Sequence, residues 1–216
     1  MNYSKPINQM TQGDWERLES LVKESLKNDK SGHDYPHSAR VFRNALSICK
    51  KYSGIDYDVL VASCWLHDIA FKDGLVKNHH LISAKQAPSF LKKVNFPYVK
   101  IKKVQIVIED HVGQTIKPVR KNSQLSIESK ILRDADNLDA LGSIGLARQI
   151  AFCSANNIPY FISKEDCGFN KSVYCGVKEL MTWPYKMLTP EAKKIAMKRL
   201  PVMAAFLKQL EKEYSS

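Results

Sequence analysis

The sequence predicts an all-α fold, one helical bundle over residues 1–216. Three observations carry this. Apolar residues recur at three- to four-residue spacing along most of the chain. Alternating strand patterns are nearly absent. Helix starts and stops fall at the edges of the periodic segments: Asp56 ahead of an apolar run, Gly74 after it, and Thr189-Pro190-Glu191 as a cap followed by a first-position proline.

In chain order, residues 14–28 put Trp15, Leu18, Leu21, Val22 and Leu26 on one stripe. A loop at 31–36, with Gly32 and Pro36 as breakers, separates it from a helix running from His37 to about residue 51, with Val41, Ala45, Ile48 and Cys49 on one side. Asp56 caps the next helix, which carries the run from Val59 to Leu66 straight into His67 and Asp68. Residues 71–74 break it. His79 and His80 open a helix reaching Val94, and residues 98–111 read as another. Residues 112–122 form a loop with Gly113 and Pro118. Residues 125–152 are mostly helix, interrupted near Gly142 and Gly145. Residues 156–170 read as loop and 172–181 as helix. The last helix runs from Pro190 towards Tyr214, kinked at Pro201, with Ile195, Val202, Phe206, Leu207 and Leu210 inward.

With 216 residues, 44% of them hydrophobic, the chain is long enough for one well-cored domain and is neither disordered nor fibrous. The start lacks the basic-then-apolar pattern of a secretion signal, and no apolar run reaches the length of a bilayer. Five cysteines without C-x-x-C spacing read as unpaired thiols and, with no leader, point to the cytoplasm. The net charge of +11 favours anionic partners. The lysines are scattered, which fits solvated helix faces better than a nucleic-acid surface and remains compatible with drawing in phosphorylated small molecules.

Several polar groups stand where the pattern calls for apolar ones. His37 opens a helix, with Arg40 one turn on. His67 and Asp68 close the apolar run. Asp136 shares a helix face with Leu132 and Ala140 and should point inward, while Asp134 and Asp139 lean elsewhere. Burying imidazole and carboxylate is costly unless their charge is compensated. A divalent cation does so, since both groups are good ligands for Mn, Mg or Fe. A satisfied buried polar group, or a self-capping helix end at His67-Asp68, is the plain alternative for each taken singly.

Three segments, His37-Ser38-Ala39-Arg40-Val41, Leu66-His67-Asp68-Ile69 and Asp134-Ala135-Asp136-Asn137-Leu138-Asp139-Ala140-Leu141-Gly142, occur in this order. They resemble the signatures of the HD-domain metal-dependent phosphohydrolase superfamily. Ser143 to Arg148 and the helix starting at Thr189-Pro190-Glu191 are similar to a bacterial and archaeal subgroup of small stand-alone HD hydrolases. The resemblance implies one domain, with a signature-bearing core at about residues 30–155 and C-terminal helices at 172–214 packed on it. It implies that His37, His67, Asp68 and Asp136 bind one divalent cation (Mn, Mg, Fe, Co or Ni), which activates a bound water with Asp68 as a candidate base.

His79 and His111 stand where some relatives have two further histidines for a second cation. Substrate contact, general-acid work or a solvent-facing helix end are the alternatives for them. His80 reads as a bystander and His33 as a neighbour of the ligands. Arg40, Lys72 and Arg148 are candidate phosphate binders. Lys72 falls where some HD nucleotidases carry a catalytic carboxylate, a departure that Asp73 cannot be assumed to repair. Asp139 either orients a ligand or caps a turn. The expected activity is hydrolysis of a phosphate ester or anhydride in a small molecule of the nucleotide type. A di-iron oxygenase and a non-catalytic nucleotide- or nucleic-acid-binding regulator are the alternatives, and a homo-oligomer is left open.

Overall fold

The computed structural model describes residues 10–29, 32–73, 77–113, 116–162, 167–168 and 171–214. Among these there are nine α-helices and no strand. They divide into two compact units, residues 1–136 and 137–216.

The first unit is built round α3 (Tyr57–Leu66), which follows α1 (Gln12–Ser25) and α2 (Tyr35–Cys49). Every residue of α3 from Asp58 to Leu66 is buried. A helix that is apolar all round belongs in the middle of a core. Accordingly α3 packs against α1, α2, α4 (His79–Leu91) and α5 (Tyr98–Asp110). Trp65 lies between the rings of Tyr35 and Phe42, with centroids 5.8 and 5.4 Å away. The last helix to start in this unit is α6 (Ile127–Asp139), whose Asp136 ends the unit.

The caps follow the local chemistry. Thr11 and Asp14 form a reciprocal capping box on α1. Asp34 caps α2 by accepting from the His37 amide at 2.9 Å, and the Asp56 side chain accepts from Val59 N at 3.4 Å. The expected loop at 31–36 is shorter than its sequence suggests. Tyr35 and Pro36 belong to the first turn of α2, where proline lacks only an amide that has no helical partner. Helix α4 ends at Leu91, short of Val94. The expected break at 71–74 is replaced up to residue 73 by a 3-10 turn, Ile69–Asp73, running directly on from Asp68. Gly74 and the side chains of Lys72 and Asp73 lie outside the described residues.

In the second unit α7 (Gly142–Ala155) packs against α8 (Val173–Leu180) and α9 (Pro190–Tyr214). The interruption expected near Gly142 falls at residues 140–141, and Gly142 takes φ +73, a left-handed conformation that glycine adopts without Cβ strain. Helix α9 runs through Pro201 as one element. Its buried side is Ala192, Ala196 and Met203. Val202, expected inward, is exposed, because the helical register carries the buried stripe through 192, 196 and 203. Parts of the expected 156–170 loop, residues 163–166 and 169–170, lie outside the described residues.

One sequence expectation is overturned. Cys167 and Cys175 form a disulfide across a Cα–Cα distance of 5.6 Å, so not all five thiols are unpaired. Just ahead of Cys175, Val173 N donates to Pro159 O and Tyr174 N to Tyr160 O, a proximity that cysteine spacing does not reveal. Cys49, Cys64 and Cys153 are buried thiols outside this disulfide. No helix among the described residues is long and apolar enough to cross a membrane.

Candidate metal centre

Four histidines of the first unit sit at helix ends. His37 lies in the first turn of α2 and His79 is the first residue of α4. His67 and His111 are the C-terminal caps of α3 and α5. The last carbonyls of a helix have no intrahelical donor. His67 Nδ1 lies 3.0 Å from Cys64 O, and His111 Nδ1 lies 2.6 Å from Ile108 O, each carbonyl three residues back. In a neutral imidazole such a bond puts the proton on Nδ1 and leaves Nε2 as a bare lone pair.

Those Nε2 atoms meet in pairs. His37 Nε2 is 3.2 Å from His67 Nε2, and His79 Nε2 is 3.2 Å from His111 Nε2. Two nitrogens bound to one cation at about 2.1 Å stand about 3.0–3.4 Å apart in octahedral or tetrahedral geometry, which is the spacing seen. Asp136 Oδ1 joins the first pair at 3.4 Å from His37 Nε2 and 3.9 Å from His67 Nε2. Asp68 faces both pairs. Its Oδ2 is 3.3 Å from His37 and from His67 Nε2, and its Oδ1 is 3.5 Å from His79 and 3.7 Å from His111 Nε2.

The donors form two trios, His37–His67–Asp136 and Asp68–His79–His111. Within each trio the ligand atoms lie within 4.8 Å of one another.

The electrostatics fit a cation. Burial alone would push the Asp68 and Asp136 carboxyls up. For Asp68 the charges of His67 and His33, with bonds from His37 and His67, hold it well below the usual carboxylate range. For Asp136 the hydrogen bond and charge of His37 bring it to about 2. Burial lowers His67, but the Asp68 and Asp136 carboxylates together outweigh it and the net shift is upward. Burial, then the charge of His67, drives His111 down to about 3. Two ionised carboxylates and a neutral His111 thus stand together, Asp68 and His111 buried and Asp136 partly open to solvent. Asp68 Oδ1 is buried and has no hydrogen-bond donor, an expensive state unless something positive sits beside it. The residues present fit one or two divalent cations.

The other expected residues are placed as follows. The His33 ring stacks on Phe71, centroids 4.0 Å apart and 7° from parallel, and stands edge-on to His37 at 5.7 Å. His80 is buried with its Nδ1 unbonded, and belongs to neither trio. Arg40 is half-buried on α2. In the second unit the Arg148 guanidinium pairs with buried Asp139 at 2.5 Å. Asp134 is fully buried and Asp139 nearly so, neither of them in a trio.

Sequence reasoning missed two supports. Asn44 Nδ2 donates to Ala135 O at 3.0 Å and ties α2 to the turn of α6 that bears Asp136. Arg133 is a buried arginine on α6 whose guanidinium reaches the end of α5; its sequence signal is a charge inside the otherwise apolar run Ile131-Leu132-Arg133.

Comparison with known proteins places the chain in a family. Residues 35–141 match the family model described as HD domain. The chain is 27% identical over 200 residues, 92% of each chain, to the uncharacterized protein YpgQ of Bacillus subtilis. It resembles the crystal structure of an HD-superfamily hydrolase from Bacillus thuringiensis, with TM-score 0.71, 28% identity, and coverage of 95% of this chain and 98% of that one. It also shares the fold of Bacillus subtilis YpgQ crystallised with ADP, with TM-score 0.69, 24% identity, and coverage of 93% and 95%.

Proposed function

The chain belongs to the HD-domain superfamily through residues 35–141 and has the fold of its hydrolases; from that premise we propose a metal-dependent phosphohydrolase that cleaves a phosphate ester or anhydride in a nucleotide. The observation that carries this reading is the single Asp68 carboxylate facing both histidine pairs. His37, His67 and Asp136, with Asp68 Oδ2, would hold one divalent cation, and Asp68 Oδ1, His79 and His111 would hold a second. A bound pair of cations neutralises phosphoryl charge and makes water acidic enough to lose a proton near neutral pH.

The residues of the chain do the rest. The Nδ1 bonds of His67 and His111 fix both rings so that Nε2 faces inward. Asp68 binds and orients through both oxygens. Its carboxyl, held well below the usual range, accepts a proton poorly at pH 7, so holding rather than proton transfer is its main part. Arg40, one turn after His37, is the candidate to steady the substrate's phosphate, a task suited to its planar fork. Arg148 is a weaker candidate, since Asp139 already takes its guanidinium. The nucleotide is supported by YpgQ, seen with ADP, and by the +11 charge, which draws in anions. The cytoplasmic setting belongs to this reading as well, although the Cys167–Cys175 disulfide weighs against a reducing compartment.

The test is the purified chain, loaded with Mn and offered nucleoside mono-, di- and triphosphates while phosphate and pyrophosphate release are followed. Hydrolysis abolished by chelation is expected. A metal-loaded protein inert to the whole panel overturns the reading. Iron as the native metal, with substrate oxidation under O₂, would instead establish the oxygenase.

A further inference from the structure

Arg133 lies on α6, one turn before Asp136, and is buried. Its Nε and Nη2 donate to the Asp110 carbonyl oxygen at 2.9 and 2.5 Å, and its Nη1 donates to Asn122 Oδ1 at 2.9 Å. The guanidinium also lies against Gly113: a Cβ there would come within 2.7 Å of Nη1 and 2.9 Å of Cζ. The Asp110 carboxylate is held in turn by Ser129 Oγ at 2.9 Å and Arg120 Nη1 at 2.7 Å.

The physics of this joint is directional. The Asp110 carbonyl is among the last of α5, has no intrahelical donor, and lies at the negative end of the helix dipole. A planar guanidinium giving two N–H groups to one oxygen fixes the orientation of that peptide plane more tightly than a rotating ammonium would. That peptide is the one closed by the His111 nitrogen. Fixing it fixes the backbone from which the His111 ring reaches back to Ile108 O and forward to His79 Nε2.

We propose that Arg133 is a positioning residue that aims His111 and, because it sits one turn from Asp136, sets the separation of the two trios. Gly113 is required beside it because any side chain would displace the guanidinium. The aiming of His111 stands on the metal-free geometry. The consequence for a second cation rests on the proposed function.

The experiment uses the full chain. In the metal-free protein the Nδ1–H protons of His67 and His111, both bonded to carbonyls, are followed by NMR, with His111→Asn giving the assignment. Arg133→Gln and Gly113→Ala should each shift or broaden away the His111 signal while His67 keeps its own, and Arg133→Lys should restore it in part. With Mn added, binding at the second trio should weaken about 10–100-fold, the usual effect of a lost outer support, with the first trio unchanged. Both signals unchanged in both variants would overturn the proposal. So would loss of both together, which would make Arg133 a general structural residue. A wild-type chain that takes one cation, with the His111 effect present, overturns the two-cation reading and supports the aiming. Two cations with an unmoved His111 signal does the reverse.

Discussion

The trio of His37, His67 and Asp136 and the trio of Asp68, His79 and His111 are made from the same parts: a histidine at a helix start, a histidine at a helix end, and a carboxylate. They differ in the supply of donors. The first has both imidazoles fully buried, a carboxylate of its own from α6, and Asp68 Oδ2 as a fourth donor. The second has only Asp68 Oδ1 for charge, while each half has one partly open member, Asp136 at 28% exposure in the first and His79 at 15% in the second. Donor number and donor charge together set how tightly a cation is held. On the proposed two-cation reading the first trio, with more donors, would be the tighter half and the second the weaker.

The largest effect belongs to the residue the halves share. Asp68→Ala should leave both trios without their common carboxylate and reduce metal content, read by elemental analysis, to near zero. A fully metallated variant would dissolve the comparison. Next come the unshared histidines. His79→Ala should lower the stoichiometry from two to one, with the first cation retained. His37→Ala should weaken the first by at least about 100-fold, more than loss of an outer support costs. Equal losses in both variants would mean one site rather than two halves.

A third prediction concerns pH in the chelated protein. An unfolded histidine takes its proton near 6.5, while folded His111 does so only at about 3. The unfolded chain therefore binds that proton first. Stability contributed by neutral His111 is present above 6.5 and is lost as pH falls towards 3. His67, whose folded value is raised, acts in the opposite sense: its contribution is full below 6.5 and fades as pH rises through the folded value. Thermal unfolding of His111→Asn should show a flatter decline between pH 6.5 and 3 than wild type, and a decline of unchanged steepness would contradict it. The smallest effect is expected from Asn44→Ala. Losing the bond to Ala135 O should cost about 0.5–1.5 kcal/mol and loosen cation binding at the first trio alone, as titration would show. Equal loosening at the second trio would show that the two halves move as one.

Legibility from sequence varied with the range of the interaction. The apolar run ending in His67-Asp68 was readable as a buried helix because all-round hydrophobicity has no other home. Asp136 was readable as inward from its helix face. The start of α2 was misjudged by two residues, because Pro36 breaks a helix interior but suits a first turn. Arg133 was passed over, since no spacing rule says which carbonyl a buried guanidinium will reach 23 residues away.

By itself the sequence determined the helices, the ligand chemistry and the order in which the ligands arrive, because periodicity, capping and the affinity of imidazole and carboxylate for cations are properties of short segments. Only the tertiary structure decided that one carboxylate faces two histidine pairs, that Nε2 is the atom each ring presents, and that Arg133 braces the end of α5. Those depend on where separate helix ends meet, and their meeting follows from the packing of α2, α4 and α5 on α3, buried from Asp58 to Leu66, which no local pattern encodes.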